Sequence, residues 1–127
     1  MLLYIIMSAE YIHFFLQLRD QVKLYHWQTR VYARHVATDT TLAKLEERID
    51  SFVEVYIGKF GRPRLTGKNA TITVQNLTEA GAVRTVKAAM RYVQGMHKPL
   101  QMHTDLINIL DDLLSELGQL MYLMTLH

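Results

Sequence analysis

Residues 104–124 read TDLINILDDLLSELGQLMYLM, and within them Leu106, Leu110, Leu113, Leu117, Leu120 and Met124 recur at alternating steps of four and three. That period draws an apolar spine along one face of a helix and leaves the acids on the other. A helix of roughly 20 residues is about 30 Å long. With only one apolar stripe it needs partners of similar length, so the final helix predicts a bundle.

The rest of the chain supplies those partners. From Ser8 to about Arg30 the apolar positions Ile12, Phe15, Leu16, Val22 and Tyr25 step by threes and fours, with Ser8 as the expected N-cap of helix A. Leu42, Leu45, Ile49, Phe52, Val53 and Tyr56 form the stripe of helix B, which starts between Val31 and Thr40 and stops at Gly58. The cluster Thr38-Asp39-Thr40-Thr41 is poor helix interior and good cap material, so it is expected at the A–B junction. Residues 59–76, with Gly61, Pro63, Gly67 and the β-branched run Thr71-Ile72-Thr73-Val74, read as a long connection across the bundle or along its end. Asn76 and Glu79 form a capping-box variant that opens helix C, whose stripe is Val83, Val86, Met90 and Val93. Gly95 and Pro99 end helix C, and helix D starts near Pro99 or Thr104.

At 127 residues, half of them hydrophobic and only two of them proline, the chain fits one helical domain over 1–127. The absence of cysteine excludes disulfides and thiolate metal sites, leaving His, Asp and Glu as the possible metal ligands. The apolar opening, Met1 to Met7, is too short to span a bilayer and lacks the basic start of a signal peptide. It reads as a packed extension, with Met1 and Met7 both available as starts, and the expected location is the cytoplasm. Net charge is only +2, but no acid lies between Glu54 and Glu79, where Lys59, Arg62, Arg64 and Lys68 fall. Those four could give weak, non-specific DNA contact, although a basic loop of this size is commonly just solvated.

Two groups of side chains could carry chemistry. Glu46, Asp50 and Glu54 stand at i, i+4 steps on helix B, an arrangement that costs about 0.2–0.5 kcal/mol per like-charge pair. A cation would relieve it, and so would Lys44 and Arg48 on a solvated flank. His26, one turn after Val22 and beside Trp27, lies near the buried side of helix A, and His35 follows across the turn. Imidazole with carboxylate is a ligand set suited to iron, manganese or zinc, while a lone histidine on such a face is commonly a hydrogen-bonded core residue. His103 with Asp105 is a further pair. There is no Gly-rich phosphate loop and no Gly-x-Ser-x-Gly elbow.

Leu24-Tyr25-His26-Trp27-Gln28-Thr29, then His35, then Ile49-Asp50-Ser51-Phe52-Val53-Glu54, resembles the signature of the Dps-type mini-ferritins. The interval from His35 to Asp50, Gly61-Arg62-Pro63 and the Leu/acid-rich last helix match that family in character. The resemblance implies a ferritin-like antiparallel four-helix bundle with a long B–C connection. It also implies a ferroxidase centre across a two-fold interface, with His26 and His35 of one subunit facing Asp50 and Glu54 of another. Trp27, which belongs to the matched motif, and Glu46, one turn before Asp50 and outside it, would stand beside those ligands. Iron, as one or two ions per site with manganese or zinc as alternatives, would be oxidised by peroxide or dioxygen, and the oligomer would contain two-fold dimers, up to a dodecamer.

The stretch between the two histidines is shorter than the family's and lacks its Gly-Pro turn, and no lysine-rich N-terminal tail is present. The His-Trp-Gln-Thr variant is also similar to small proteins of large DNA viruses and phages, which adds a virion-associated location as an alternative. The competing expectation is a metal-free helical assembly or interaction protein, nucleoid- or genome-associated, that keeps the fold without the oxidation chemistry.

Overall fold

The computed structural model describes residues 2–127, with side chains from Ser8 onward. Four helices form: α1 (Leu2–Gln28), α2 (Tyr32–Phe60), α3 (Glu79–Gly95) and α4 (Thr104–Leu123), with a 3-10 turn at Gly67–Ala70 and no strand among the described residues. The expected packing of residues 1–7 lies outside the described side chains.

α1 does not start at Ser8. The helix runs through that residue from Leu2, and Ser8 is fully buried in its interior rather than capping its end. The α1–α2 junction also differs from expectation, because Thr38 to Thr41 lie inside α2. The Thr38 hydroxyl lies within bonding distance of two carbonyls of the preceding turn, Arg34 O at 2.8 Å and His35 O at 3.1 Å. Bonding back in this way lets a threonine sit mid-helix without competing for the backbone. The real boundary is Thr29-Arg30-Val31. Thr29 N–H closes α1 on Tyr25 O at 2.8 Å, Val31 is extended, and the N–H groups of Arg34 and His35 reach Val31 O at 3.0 Å.

α2 continues past Gly58 to Phe60. It stops at Gly61, whose φ of 99° is open to glycine and whose N–H bonds Ile57 O at 2.8 Å.

The connection crosses the bundle from one end to the other rather than lining one end. It lies along α1. His13 Nε2 meets Thr71 O at 2.8 Å, Thr73 N–H reaches Gln17 Oε1 at 3.1 Å, and Gln21 both accepts from Gln75 N and donates to Gln75 O, each at 2.8 Å. Four residues of helix rise about 6 Å, and two residues of extended chain advance about 6.6 Å. A helix face reading i, i+4 therefore keeps step with an extended chain reading i, i+2.

This route carries the chain to the far end of α1, where Thr78, not Asn76, caps α3 by accepting from Gly81 N–H at 2.9 Å. Asn76 accepts instead from Gln28 Nε2 at 2.7 Å. α2 and α3 thus start at the same end of the bundle, and α1 and α4 run against them. Val86 and Val93 are buried as expected, but Ala82 and Ala89 complete the inward face while Val83 and Met90 sit at its margin.

The α4 spine is buried throughout, from Leu106 to Met124, and the first four leucines are 0 % exposed. Burying a leucine side chain contributes about 1.5–3 kcal/mol, so this stripe is a main source of stability. Tyr11, Phe15, Phe52 and Tyr56 pack ring against ring between α1 and α2 toward one end of the bundle. Among the described residues no helix is long and apolar enough to cross a membrane.

Candidate metal centre

At the opposite end of the α1–α2 pair, two rings replace the phenyl stack. His26 and His35 lie face to face, centroids 4.0 Å apart and planes 14° from parallel. Three residues of turn bring the last helical positions of α1 against the first of α2. His26 is 6 % exposed, and His35 is exposed.

Each ring is held by the other residue's backbone. His26 Nδ1 lies 2.8 Å from His35 O, and His35 Nδ1 lies 2.9 Å from His26 O. A carbonyl oxygen only accepts, so in both neutral rings the proton resides on Nδ1 and Nε2 carries the lone pair. Thr38 Oγ1, 2.9 Å from His26 Nδ1, has its own proton directed to a backbone carbonyl and adds a second acceptor. Fixing Nδ1–H on a carbonyl is the usual way a protein orients a metal-binding imidazole.

The structure adds a residue that the sequence reading missed. Asp39 Oδ1 lies 4.0 Å from His26 Nε2 and is well exposed. Asp39 stands one helical turn after His35, and that i, i+4 spacing was the available signal. Two donors ~2.1 Å from one ion lie about 3.0–3.4 Å apart, so Asp39 at 4.0 Å stands beside the histidine pair without closing a ligand set with it.

Asp50 and Glu54 are exposed on α2 and have no hydrogen bond or ion pair among the described residues. His35 and Asp50 lie on the same helix, about 22 Å apart along its axis. One chain therefore brings together His26, His35 and Asp39, and keeps Asp50 and Glu54 away from them. Among the described residues no three His, Asp or Glu side chains of one chain close on a metal site.

The two flanking residues have other contacts. Glu46 pairs with Arg19 at 3.2 Å, and Trp27, 68 % exposed, has Lys23 Nζ 5.2 Å from its ring centre. In the basic segment Lys59 is tied to Asp105 at 3.1 Å. That contact also takes Asp105 as a partner, while His103 packs edge-on against Phe60.

The family model described as "Family of unknown function (DUF5856)" matches residues 26–124. The chain belongs to this family. No curated protein and no solved structure matches. In this DUF5856 member the matched span begins at His26 and takes in His35, Asp39, Asp50, Glu54 and the whole of α2 to α4.

Next to the histidine pair, a polar cluster locks three helices. Buried Tyr25 donates a hydrogen bond to Glu79 Oε2. Arg34 Nη1 reaches Tyr25 Oη at 3.0 Å, Glu79 Oε2 at 3.1 Å and Glu79 O at 2.7 Å, and Thr29 Oγ1 donates to Glu79 Oε1 at 2.8 Å. Burial pushes the Tyr25 phenol above its ordinary range, partly offset by Arg34. Burial also pushes the Glu79 carboxyl upward, but the hydrogen bonds from Tyr25 and Thr29 and the Arg34 charge outweigh it and hold Glu79 below the ordinary range.

Proposed function

We propose that this protein binds Fe(II) as a Dps-like mini-ferritin and oxidises it with peroxide or dioxygen at sites shared between two copies of the chain. The observation that carries the reading is the histidine pair, with both Nδ1 atoms pinned on carbonyls and both Nε2 lone pairs left to donate. Imidazole with carboxylate suits iron, with manganese and zinc as alternatives, and hard oxygen donors stabilise the ferric product. The connection along α1, which starts α2 and α3 at one end, is in keeping with a ferritin-like bundle.

The geometry of sharing follows from α2. Asp39, Ala43, Asp50 and Glu54 fall within roughly 60° of one another around its axis. If two copies of α2 pack antiparallel about a two-fold axis, His35 meets the partner's Asp50 and Glu54 when the axis passes close to Ala43, midway between them in sequence. Ala43 is exposed and small, and the neighbouring Lys44 turns toward Glu116 and Gln119 of α4. A methyl group at the axis lets two helices approach closely. Across this axis His26, His35 and Asp39 would join Asp50 and Glu54 of the second chain.

The rival reading draws on the same pair, because the reciprocal hydrogen bonds stitch the α1–α2 turn with or without a metal. Metal titration separates the two. Protein purified without chelator and titrated anaerobically with Co(II) should show the visible absorption of a mixed nitrogen and oxygen site, and Fe(II) with peroxide should yield ferric absorbance. A protein that binds neither ion is the metal-free assembly.

A further inference from the structure

The route of the connection leaves half of its backbone unused. Thr71 O, Thr73 N–H and both backbone groups of Gln75 are taken by His13, Gln17 and Gln21 of α1. Those are the odd positions, and in an extended chain the even positions turn their N–H and C=O to the opposite edge. Among the described residues nothing bonds the backbone of Ile72 or Val74. Val74 is 41 % exposed, and Thr73 and Gln75 on either side of it are exposed too. α1 therefore holds a short strand in place with one edge free. Proteins ordinarily guard such an edge with lysine, proline or a bulge. Here no charged residue and no proline lies between Lys68 and Glu79, and Thr71-Ile72-Thr73-Val74 is β-branched throughout.

Charge decides which kind of strand the edge would accept. Residues 55–104 hold eight Lys or Arg against one acid, Glu79, which Arg34 already engages. Thr73 and Gln75 border a groove of about 400 Å³ whose wall on α3 is formed by Thr85, Ala88 and Tyr92. The residue before each of these three is a cation, Arg84, Lys87 and Arg91, exposed and without a carboxylate partner among the described residues. A side chain opposite Thr73 on an added strand shares Thr73's face of the ribbon, which is the groove side.

We propose that residues 71–75 are a docking strand for an extended, acidic segment of a partner polypeptide, which pairs antiparallel with the Ile72–Val74 edge and turns alternate carboxylates toward Arg84, Lys87 and Arg91. Ile72 and Val74 each exchange an N–H and a C=O bond with the residue opposite, while the partner's residue opposite Thr73 makes no backbone bond to it and carries a carboxylate. Because α1 already fixes the receiving strand, only the incoming segment has to be ordered on binding. The site stands with or without metal at His26 and His35.

The probe is a fluorescein-labelled, end-blocked peptide of alternating Glu and Val, mixed with the full chain at low and at physiological salt and followed by anisotropy. The expected result is one-to-one binding that weakens with salt, is lost when the valines are N-methylated and is kept when the glutamates are, since only the valine N–H groups face the edge. Ile72→Pro removes one free N–H and leaves every bond to α1 in place. Thr71 is already extended, as proline requires of the residue before it. The variant should bind the peptide about 3–10-fold more weakly, the worth of one hydrogen bond, and replacing Arg84, Lys87 and Arg91 by alanine should flatten the salt dependence. Circular dichroism shows whether each variant is folded, and the N-methyl arms need no variant. No binding at low salt, equal binding of the two N-methylated peptides, or equal binding of a Lys/Val peptide overturns the proposal. So does duplex DNA that binds α3 at physiological salt where the acidic peptide does not, which makes the occupant a nucleic acid. Self-association that Ile72→Pro abolishes and the peptide fails to compete overturns it in favour of a second copy of the chain.

Discussion

His26 Nδ1 and His35 Nδ1 each lie against the main-chain carbonyl of the other residue, at 2.8 and 2.9 Å. Two rings fixed in this way leave both Nε2 lone pairs unprotonated but in near-parallel planes, with centroids 4.0 Å apart, so an ion shared by the two requires one ring to turn. His26→Ala or His35→Ala should abolish Co(II) absorption and rapid Fe(II) oxidation while leaving helical content intact. Thr38→Val removes one acceptor of His26 Nδ1 without touching a ligand atom. The expected loss in metal affinity is about 10-fold, at the lower end of what orienting partners contribute because His35 O remains. Isothermal titration of wild type and variant measures it.

The placement of Ala43 gives a test independent of the ligands. Ala43→Arg sets a long charged side chain where two copies of α2 should meet, and should shift the assembly toward monomer in sedimentation velocity. Metal binding should fall in step, because Asp50 and Glu54 no longer reach the partner's histidines. Loss of assembly with full retention of binding would mean that one chain suffices.

Glu79 offers a prediction in pH. Its carboxylate receives bonds from Tyr25, Thr29 and Arg34, so Glu79→Ala should cost about 1–3 kcal/mol in urea unfolding by stripping buried Tyr25 of its acceptor. A carboxyl whose folded pKa is lowered stabilises the protein above its unfolded value, about 4.3, and the contribution is lost as pH falls through the lower folded value. Wild type should lose stability across that acid window more steeply than Glu79→Gln. Parallel acid slopes would mean that the network does not discriminate between the two protonation states.

The α4 spine and the α2 stripe were legible because they are long and strictly periodic, and the leucines they name are the buried ones. The α1–α2 junction was misplaced because threonines read as caps can instead bond back to the preceding turn, a choice settled by burial against α1. Asn76 was read as a cap for a similar reason. Its side chain is drawn to Gln28, a partner 48 positions away that no local pattern announces. At the site, the sequence put His26 and His35 on facing helices, but not the mutual carbonyl bonds that set their tautomers, and it passed over Asp39 as turn material.

The basic connection should bind nucleic acid weakly. With Lys59 engaged by Asp105, the cations left to it are Arg62, Arg64 and Lys68. Fluorescence anisotropy with duplex DNA should show binding only at low salt, with a log–log slope of about −3 or shallower, and no preference for sequence. Replacing the three with alanine should remove it, whereas Lys59→Ala should leave it nearly unchanged. Tight binding at physiological salt would instead assign this segment a principal role.

The ladder between α1 and residues 71–75 imposes a rule of parity on the chain. Successive residues of an extended segment turn opposite edges to a neighbour, so one residue inserted between Thr71 and Gln75 would present the wrong backbone groups to Gln17 and Gln21. Two residues would restore the phase but lengthen the span by about 6.6 Å, more than one helical turn. The segment is thus irregular in appearance and gauged in length. Variation in it is open at side chains facing solvent and closed to single-residue insertion or deletion, the reverse of what is ordinarily expected of a surface loop.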